Sequence, residues 1–235
     1  MKQITYIVLS LLLLVLTGCK QRMNIQGTIS VPELEDRMLY LRVFEDGDLA
    51  VLDSAQITHG KFQFTGKELD TMKMAVLFMG DESLMPIVIG EKCPLEVWIT
   101  EIDQRVTGSV LNDSLYSFIR RKAVYDRQLA ELPRRESQMI FDGLDHDQIV
   151  MQLNQEAAVI TARSDALVMR FIKDNMDNVL APGIFMLFTS NMPYPMLNPQ
   201  IEELVTLASA SFLEDDYVKE FLRMAKENME KMNDE

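Results

Sequence analysis

The chain has 235 residues, 48% of them hydrophobic, with 36 acidic against 23 basic side chains and a formal net charge of −13. That apolar content supports one large or two modest folded domains with real cores and excludes a chain disordered throughout. So acidic a balance argues against nucleic acid as a partner and against docking on anionic lipid through a basic patch.

The first predicted element is a secretory signal. Met1-Lys2-Gln3 gives a charged start, Ile4 to Val15 is almost wholly apolar, and Leu16-Thr17-Gly18-Cys19 closes the run as a lipobox. The run is shorter than the roughly 20 apolar residues of a spanning helix, so it reads as a leader. Cleavage between Gly18 and Cys19 is expected, with lipid on Cys19. More than one acyl chain there would anchor stably, where a single chain is marginal. Lys20-Gln21-Arg22 lacks the acidic run of a surface-export signal, so the expected address is the outer membrane of a bacterial envelope, facing the periplasm. Cys19 and Cys93 are the only cysteines. With Cys19 taken by lipid, no intramolecular disulfide is expected and stability must come from the core.

Residues 1–18 are thus assigned to the signal, 19–23 to the anchor and a short linker, 24–111 to a β-sandwich and 112–235 to a helical region, an α+β chain. From Ile25 to about Leu111 the apolar residues recur with period two. Ile25, Gly27 and Ile29 share one face; Leu39, Leu41 and Val43 another; Phe62 and Phe64, then Leu95, Val97 and Ile99, repeat the pattern, and Val106 and Val110 continue it. Met74 to Met79 and Met85 to Ile89 read as inner strands on either side of a turn at Gly80-Asp81. Seven to nine short strands at this spacing predict an antiparallel sandwich.

At Asn112-Asp113-Ser114, capping residues, the period becomes helical. Leu115, Phe118, Tyr125, Leu129 and Leu132 form one stripe, which Pro133 ends. A long second helix is predicted from about Asp145, burying Ile149, Leu153, Ala157, Ile160, Leu167 and Phe171. Val179 to Phe188 is a further apolar segment, Pro193-Tyr194-Pro195 a loop, and Asn198-Pro199 an N-cap followed by proline at the first helical position. A last helix from about Glu214 places Val218, Leu222, Ala225 and Met229 on one stripe. No internal repeat is apparent.

Few residues suggest chemistry. His59 in Thr58-His59-Gly60-Lys61 reads as a hairpin-turn residue beside a glycine that tolerates positive φ, in preference to a catalytic group. Asp145-His146-Asp147 reads as a helix start, in preference to a metal site. The 17 methionines are scattered and read as core filler, not as a copper(I) site. Glu202-Glu203 and Asp215-Asp216 read as solvated first turns. Cys93, in Gly90-Glu91-Lys92-Cys93-Pro94, is conceivable as a reactive thiol if Lys92 lowers its pKa, but a half-buried idle cysteine is preferred. No phosphate loop or nucleophile elbow occurs. No catalytic residue, metal or cofactor is expected.

Asn24-Ile25-Gln26-Gly27-Thr28-Ile29, Leu52-Asp53-Ser54-Ala55 and His59-Gly60-Lys61-Phe62-Gln63-Phe64-Thr65-Gly66 together resemble the domain of unknown function numbered 4369. Asn112-Asp113-x-Leu115-x-x-Phe118, Phe171-Ile172-Lys173-Asp174-Asn175 and Asn178-Val179-Leu180-Ala181-Pro182 are similar to it too. In many relatives this β module and its helical linker precede a thioredoxin-like domain in envelope lipoproteins. This sequence ends at Glu235, where such relatives would begin that domain, and has no Cys-x-x-Cys. The resemblance therefore implies architecture and address but no redox activity. The expected function is a non-enzymatic interaction or scaffold module holding a protein partner near the membrane, for instance a separately encoded thioredoxin-like protein. The alternative is a small-ligand-binding lipoprotein using the sandwich face or the β/helix junction, with an enzyme third. An apolar pocket with convergent polar groups favours the ligand. An exposed apolar patch on the helices favours the partner, and clustered perturbed titratable groups favour the enzyme.

Overall fold

A computed structural model describes residues 23–66, 69–190 and 192–233. Eight strands among them form two four-stranded sheets. The first has the order β4-β1-β7-β8, from β1 (Ile25–Ile29), β4 (Lys61–Phe64), β7 (Leu95–Ile99) and β8 (Gln104–Thr107). The second has the order β3-β2-β5-β6, from β2 (Met38–Glu45), β3 (Asp48–Gln56), β5 (Lys73–Met79) and β6 (Glu82–Ile89). The alternation has its expected cause, since Leu39, Leu41 and Val43 are buried while Tyr40 and Arg42 are only partly so. Ile25, Phe64 and Val97 share one core with Leu41, Leu77 and Ile87 of the other sheet. Each such side chain contributes roughly 1.5–3 kcal/mol relative to exposure. Gly27 is needed for closeness, because the Phe62 ring lies 2.1 Å from where a Cβ would stand.

Two features depart from the antiparallel, inner-strand expectation. β1 and β7 pair in parallel, Ile25 opposite Leu95 through Ile29 opposite Ile99, while every other ladder is antiparallel. And β6 is an edge strand, hidden because the helix α1 (Val110–Ala130) lies along it.

Seven α-helices follow among the described residues: α1 (Val110–Ala130), α2 (Leu132–Phe141), α3 (His146–Asp174), α4 (Leu180–Thr189), α5 (Pro199–Leu207), α6 (Ala210–Leu213) and α7 (Asp216–Asn233). The helical start at Asn112 is corrected. Ser109 caps α1, its Oγ accepting the Asn112 N–H at 3.0 Å, and Val110 opens the helix instead of extending the sheet. Asn112 is freed from capping and its side chain is buried. Pro133 ends nothing by itself: α1 closes at Ala130, and the proline sits in the first turn of α2, where a missing N–H costs little. α2 was not visible as a separate helix. Asp145 caps α3, Oδ1 accepting the Gln148 N–H at 3.2 Å, and Asn198 caps α5, Oδ1 accepting the Ile201 N–H at 2.9 Å, both as predicted. On α7 the buried positions are Val218, Phe221 and Ala225, while Met229 is exposed. Phe221 goes inward because it meets Phe185 edge-on, ring centroids 5.0 Å apart.

The helices form a third layer. Met74, Val76 and Phe78 alternate with the inward residues of β5 yet are also buried. Val76 and Phe78 cluster with Met186 of α4, alongside Tyr40, Phe44 and Tyr217. The Phe44 and Tyr217 rings meet edge to face at 5.0 Å. β5 is therefore covered on both faces.

Candidate functional site

A concave feature bounded by both the sandwich and the helices begins where α1 leaves β6. One turn beyond Asn112, Tyr116 donates from its buried hydroxyl to the Pro86 carbonyl at 2.9 Å. Burial, and then the charge of Asp103, push the Tyr116 phenol far above its ordinary value, so it stays a neutral donor. Beyond it α1 runs past the β7–β8 turn and leaves a cleft of about 690 Å³. Its floor is apolar, built from Leu84, Phe118, Val168, Ile184 and Phe188. Phe118 is held by stacking on Phe171, centroids 4.3 Å apart.

The two lips carry opposite charge. Tyr116, Arg120, Ala123 and Arg127 recur at helical spacing along one face of α1. Lys122 is engaged with Asp126 at 2.7 Å; Arg120 and Arg127 make no ion pair among the described residues. Facing them is the turn Thr100-Glu101-Ile102-Asp103. Thr100 pins that turn: its N–H and its Oγ1 both donate to the Asp103 carbonyl, at 2.9 and 3.0 Å, and Oγ1 accepts the Asp103 N–H at 2.9 Å. Ile102 stands out from it, 96% exposed.

The family motifs fall on the sandwich. Gly27 and Ile29 lie on β1. Asp53 of the Asp-Ser-Ala stretch accepts the Ser54 N–H through Oδ1 at 2.8 Å and the Thr65 N–H through Oδ2 at 3.1 Å, tying β3 to the end of β4. His59 and Gly60 make the predicted tight turn, both at positive φ, 52° and 67°. The Glu35 carboxylate accepts both of their N–H groups, at 2.5 and 3.0 Å. The Gly60 and His59 amides hold Glu35 below its ordinary carboxylate value. Residues 23–115 match the family model described as Domain of unknown function (DUF4369). The DUF4369 match thus runs through both sheets and into α1 as far as Leu115. Searches of curated proteins and of solved structures return no match.

The DUF4369 sandwich has a second cavity, about 1010 Å³, at the end of the sheets near Met23, with Asp70, Met72 and Cys93 among its walls. Cys93 is half-buried, and its thiol donates to Glu91 Oε2 at 3.5 Å. Burial first, then Glu91, push the thiol up, the opposite of activation by Lys92. On the outer face of the first DUF4369 sheet, Arg105 lies over the Trp98 ring at 5.4 Å.

Of the other predicted positions, Gly18 and Cys19 lie outside the described residues. His146 is the first residue of α3. No group of three His, Cys, Asp or Glu able to hold a metal occurs among the described residues. Glu202 sits in the first turn of α5, and Glu203 pairs with Lys173 at 2.6 Å. Asp215 is not simply solvated: it is half-buried and accepts the Tyr217 and Val218 N–H groups at 3.0 and 3.2 Å. Burial raises its pKa against those bonds.

Beyond the DUF4369 module, the far part of α1, α2 and the first half of α3 make an arm whose interior is its own. Ile149 and Leu153 are buried there, and Arg135 of α2 pairs with Glu156 of α3. Around the α2–α3 turn, Ile140, Phe141 and Met151 are exposed, at 56%, 86% and 67%.

Proposed function

We propose that this chain is a lipid-anchored protein of the bacterial cell envelope, on the periplasmic side of the outer membrane, that holds a protein partner near the membrane and catalyses nothing. The lipobox ending at Cys19 supports the anchor. The observation that carries the partner is the arm. Three large apolar side chains, Ile140, Phe141 and Met151, stand in water around one interhelical turn, and exposed apolar surface gathered in one place marks an interaction site. The shifted groups Glu35, Cys93 and Tyr116 lie on separate elements, which argues for binding over catalysis. Those that share the start of α7 make structural bonds: Asp215 accepts the Tyr217 and Val218 N–H groups, the Tyr217 hydroxyl meets Thr189 Oγ1 at 2.8 Å, and Glu220 pairs with Arg223 at 2.6 Å. The partner class suggested by the family resemblance is a separately encoded thioredoxin-like protein.

The test is a photo-crosslinking residue placed at Phe141 in the full chain in its native envelope, beside one at Gln63 on the outer sheet face. The expected result is a discrete adduct from Phe141 alone, identified by mass spectrometry as a thioredoxin-fold envelope protein. Absence of an adduct, or the same adducts from both positions, overturns the reading. The anchor has its own check: Cys19→Ser should abolish acyl labelling and release the protein from membranes.

A further inference from the structure

We propose that the cleft between α1, α4 and the β7–β8 turn binds a single-chain amphiphile with an acidic head, its chain on the apolar floor and its head against Arg120 and Arg127. This site is separate from the arm and does not depend on the partner reading. The volume of about 690 Å³ lies in the range of small-molecule sites. Such sites pair an apolar lining with a few polar groups that fix orientation.

The orientation follows from where polar groups are free. At the inner end, the Tyr116 hydroxyl is already spent on the Pro86 carbonyl, so nothing there asks for a ligand's polar atom. A buried, unpaired head would be costly at that end. Along α1, Arg120 and Arg127 face the cleft two turns apart, about 10 Å along the axis. Guanidinium groups match carboxylate and phosphate oxygens in a planar fork, and burying part of the cleft strengthens the pairing. Lys122 is occupied by Asp126, so the two arginines are the cations on offer. Ile102, almost wholly in water on the opposite lip, would gain by lying on a hydrocarbon chain. Glu101 and Asp103 on that lip repel a bare anion from their side. They keep the head on the α1 side, and would meet the ammonium of a phosphoethanolamine head.

The shared chemistry, an anionic carboxylate or phosphate group on one acyl chain, can come from a free fatty acid or from a lysophospholipid, whose phosphoethanolamine head carries an ammonium as well; both are called acidic lipids below for that anionic group. The experiment is equilibrium dialysis of the purified full chain carrying Cys19→Ser, against labelled oleate, oleoyl lysophosphatidylethanolamine and neutral oleoyl glycerol, each below its aggregation concentration. The expected result is one molecule bound per chain, with at least one acidic lipid held tenfold or more above oleoyl glycerol. Preference between the two acids identifies the source. Arg120→Ala with Arg127→Ala should weaken the acidic lipid at least tenfold and leave oleoyl glycerol unchanged. Ala123→Trp, which fills the cleft from a half-exposed helical position, should block all three with the melting temperature preserved. No binding, equal binding of acidic and neutral lipids, or an arginine double variant indistinguishable from the parent overturns the proposal.

Discussion

The side-chain amide of Asn112 pairs with both main-chain groups of Val88, in place of the strand that edge β6 lacks. Its Oδ1 accepts the Val88 N–H at 3.0 Å and its Nδ2 donates to the Val88 carbonyl at 2.8 Å. The same Nδ2 reaches Ser109 Oγ at 2.9 Å. Edge strands expose unpaired donors and acceptors that invite other chains; here a helix residue closes the ladder.

Asn112→Ala should therefore cost more than a loss of packing. It leaves the buried Val88 N–H and carbonyl without partners, worth about 2–4 kcal/mol together. Urea unfolding of the purified chain reads this directly. Asn112→Asp should also be severe, since a carboxylate cannot donate to the Val88 carbonyl and buries a charge. A midpoint within error of the parent for Asn112→Ala would show that water replaces the amide without loss.

The Glu35 clamp predicts a pH dependence. Its folded pKa is depressed by the Gly60 and His59 amides from an ordinary value of 4.5. A depressed acid contributes stability above its unfolded pKa and loses it as pH falls through the folded one. Below about pH 4.5, the melting temperature of the parent should fall more steeply than that of Glu35→Gln. Parallel curves from pH 6 to pH 3 would remove Glu35 from the acid response.

Gly60 sits at φ +67°, and a Cβ there would lie 2.9 Å from the Ile29 carbonyl oxygen. Gly60→Val should destabilise by about 1–2 kcal/mol or more, from left-handed strain on a β-branched residue. His59→Gly should be neutral or stabilising, since His59 bears positive φ without needing its side chain. Thermal melts of both variants check the pair, and a Gly60→Val chain melting with the parent would place the turn elsewhere.

Cys93 should be a slow thiol. With its pKa raised by burial and then by Glu91, little thiolate exists near neutrality. Iodoacetamide should alkylate it more slowly than a free cysteine at pH 8, and Glu91→Gln should speed the reaction. Insulin reduction should not occur, since Cys93 is the only cysteine among the described residues and a mixed disulfide usually needs a second one to resolve it. Turnover lost in Cys93→Ser would contradict this and make Cys93 an active residue.

What could be read from the sequence was what repeats locally. Period two marked Leu39-Leu41-Val43 and Leu95-Val97-Ile99, and the caps Asp145 and Asn198 announced their helices through the residues just after them. The parallel pairing of β1 with β7 was not legible, because partners such as Ile25 and Leu95 lie far apart in the chain and a period does not name its neighbour. β3 was hard to see for another reason: only Ala55 in it is buried. Asn112 read as a cap because asparagine is one by habit, whereas its partner Val88 lies 24 positions upstream. The sequence offered the sandwich face or the β/helix junction as alternatives for a ligand and named no walls for either; the cleft at the junction is lined from five elements between Leu84 and Phe188. Glu35 gave no signal, since a carboxylate 25 positions from Gly60 announces nothing.

The double coverage of β5 bears on how the gene tolerates damage. A product ending after β8 would keep every strand but lose the cover over Met74, Val76 and Phe78, and the amide that seals β6. Such a polypeptide would be a sticky, open-edged intermediate suited to proteolysis. Nonsense and frameshift alleles that end the chain between β8 and α4 should then behave as nulls, not as shortened but working forms.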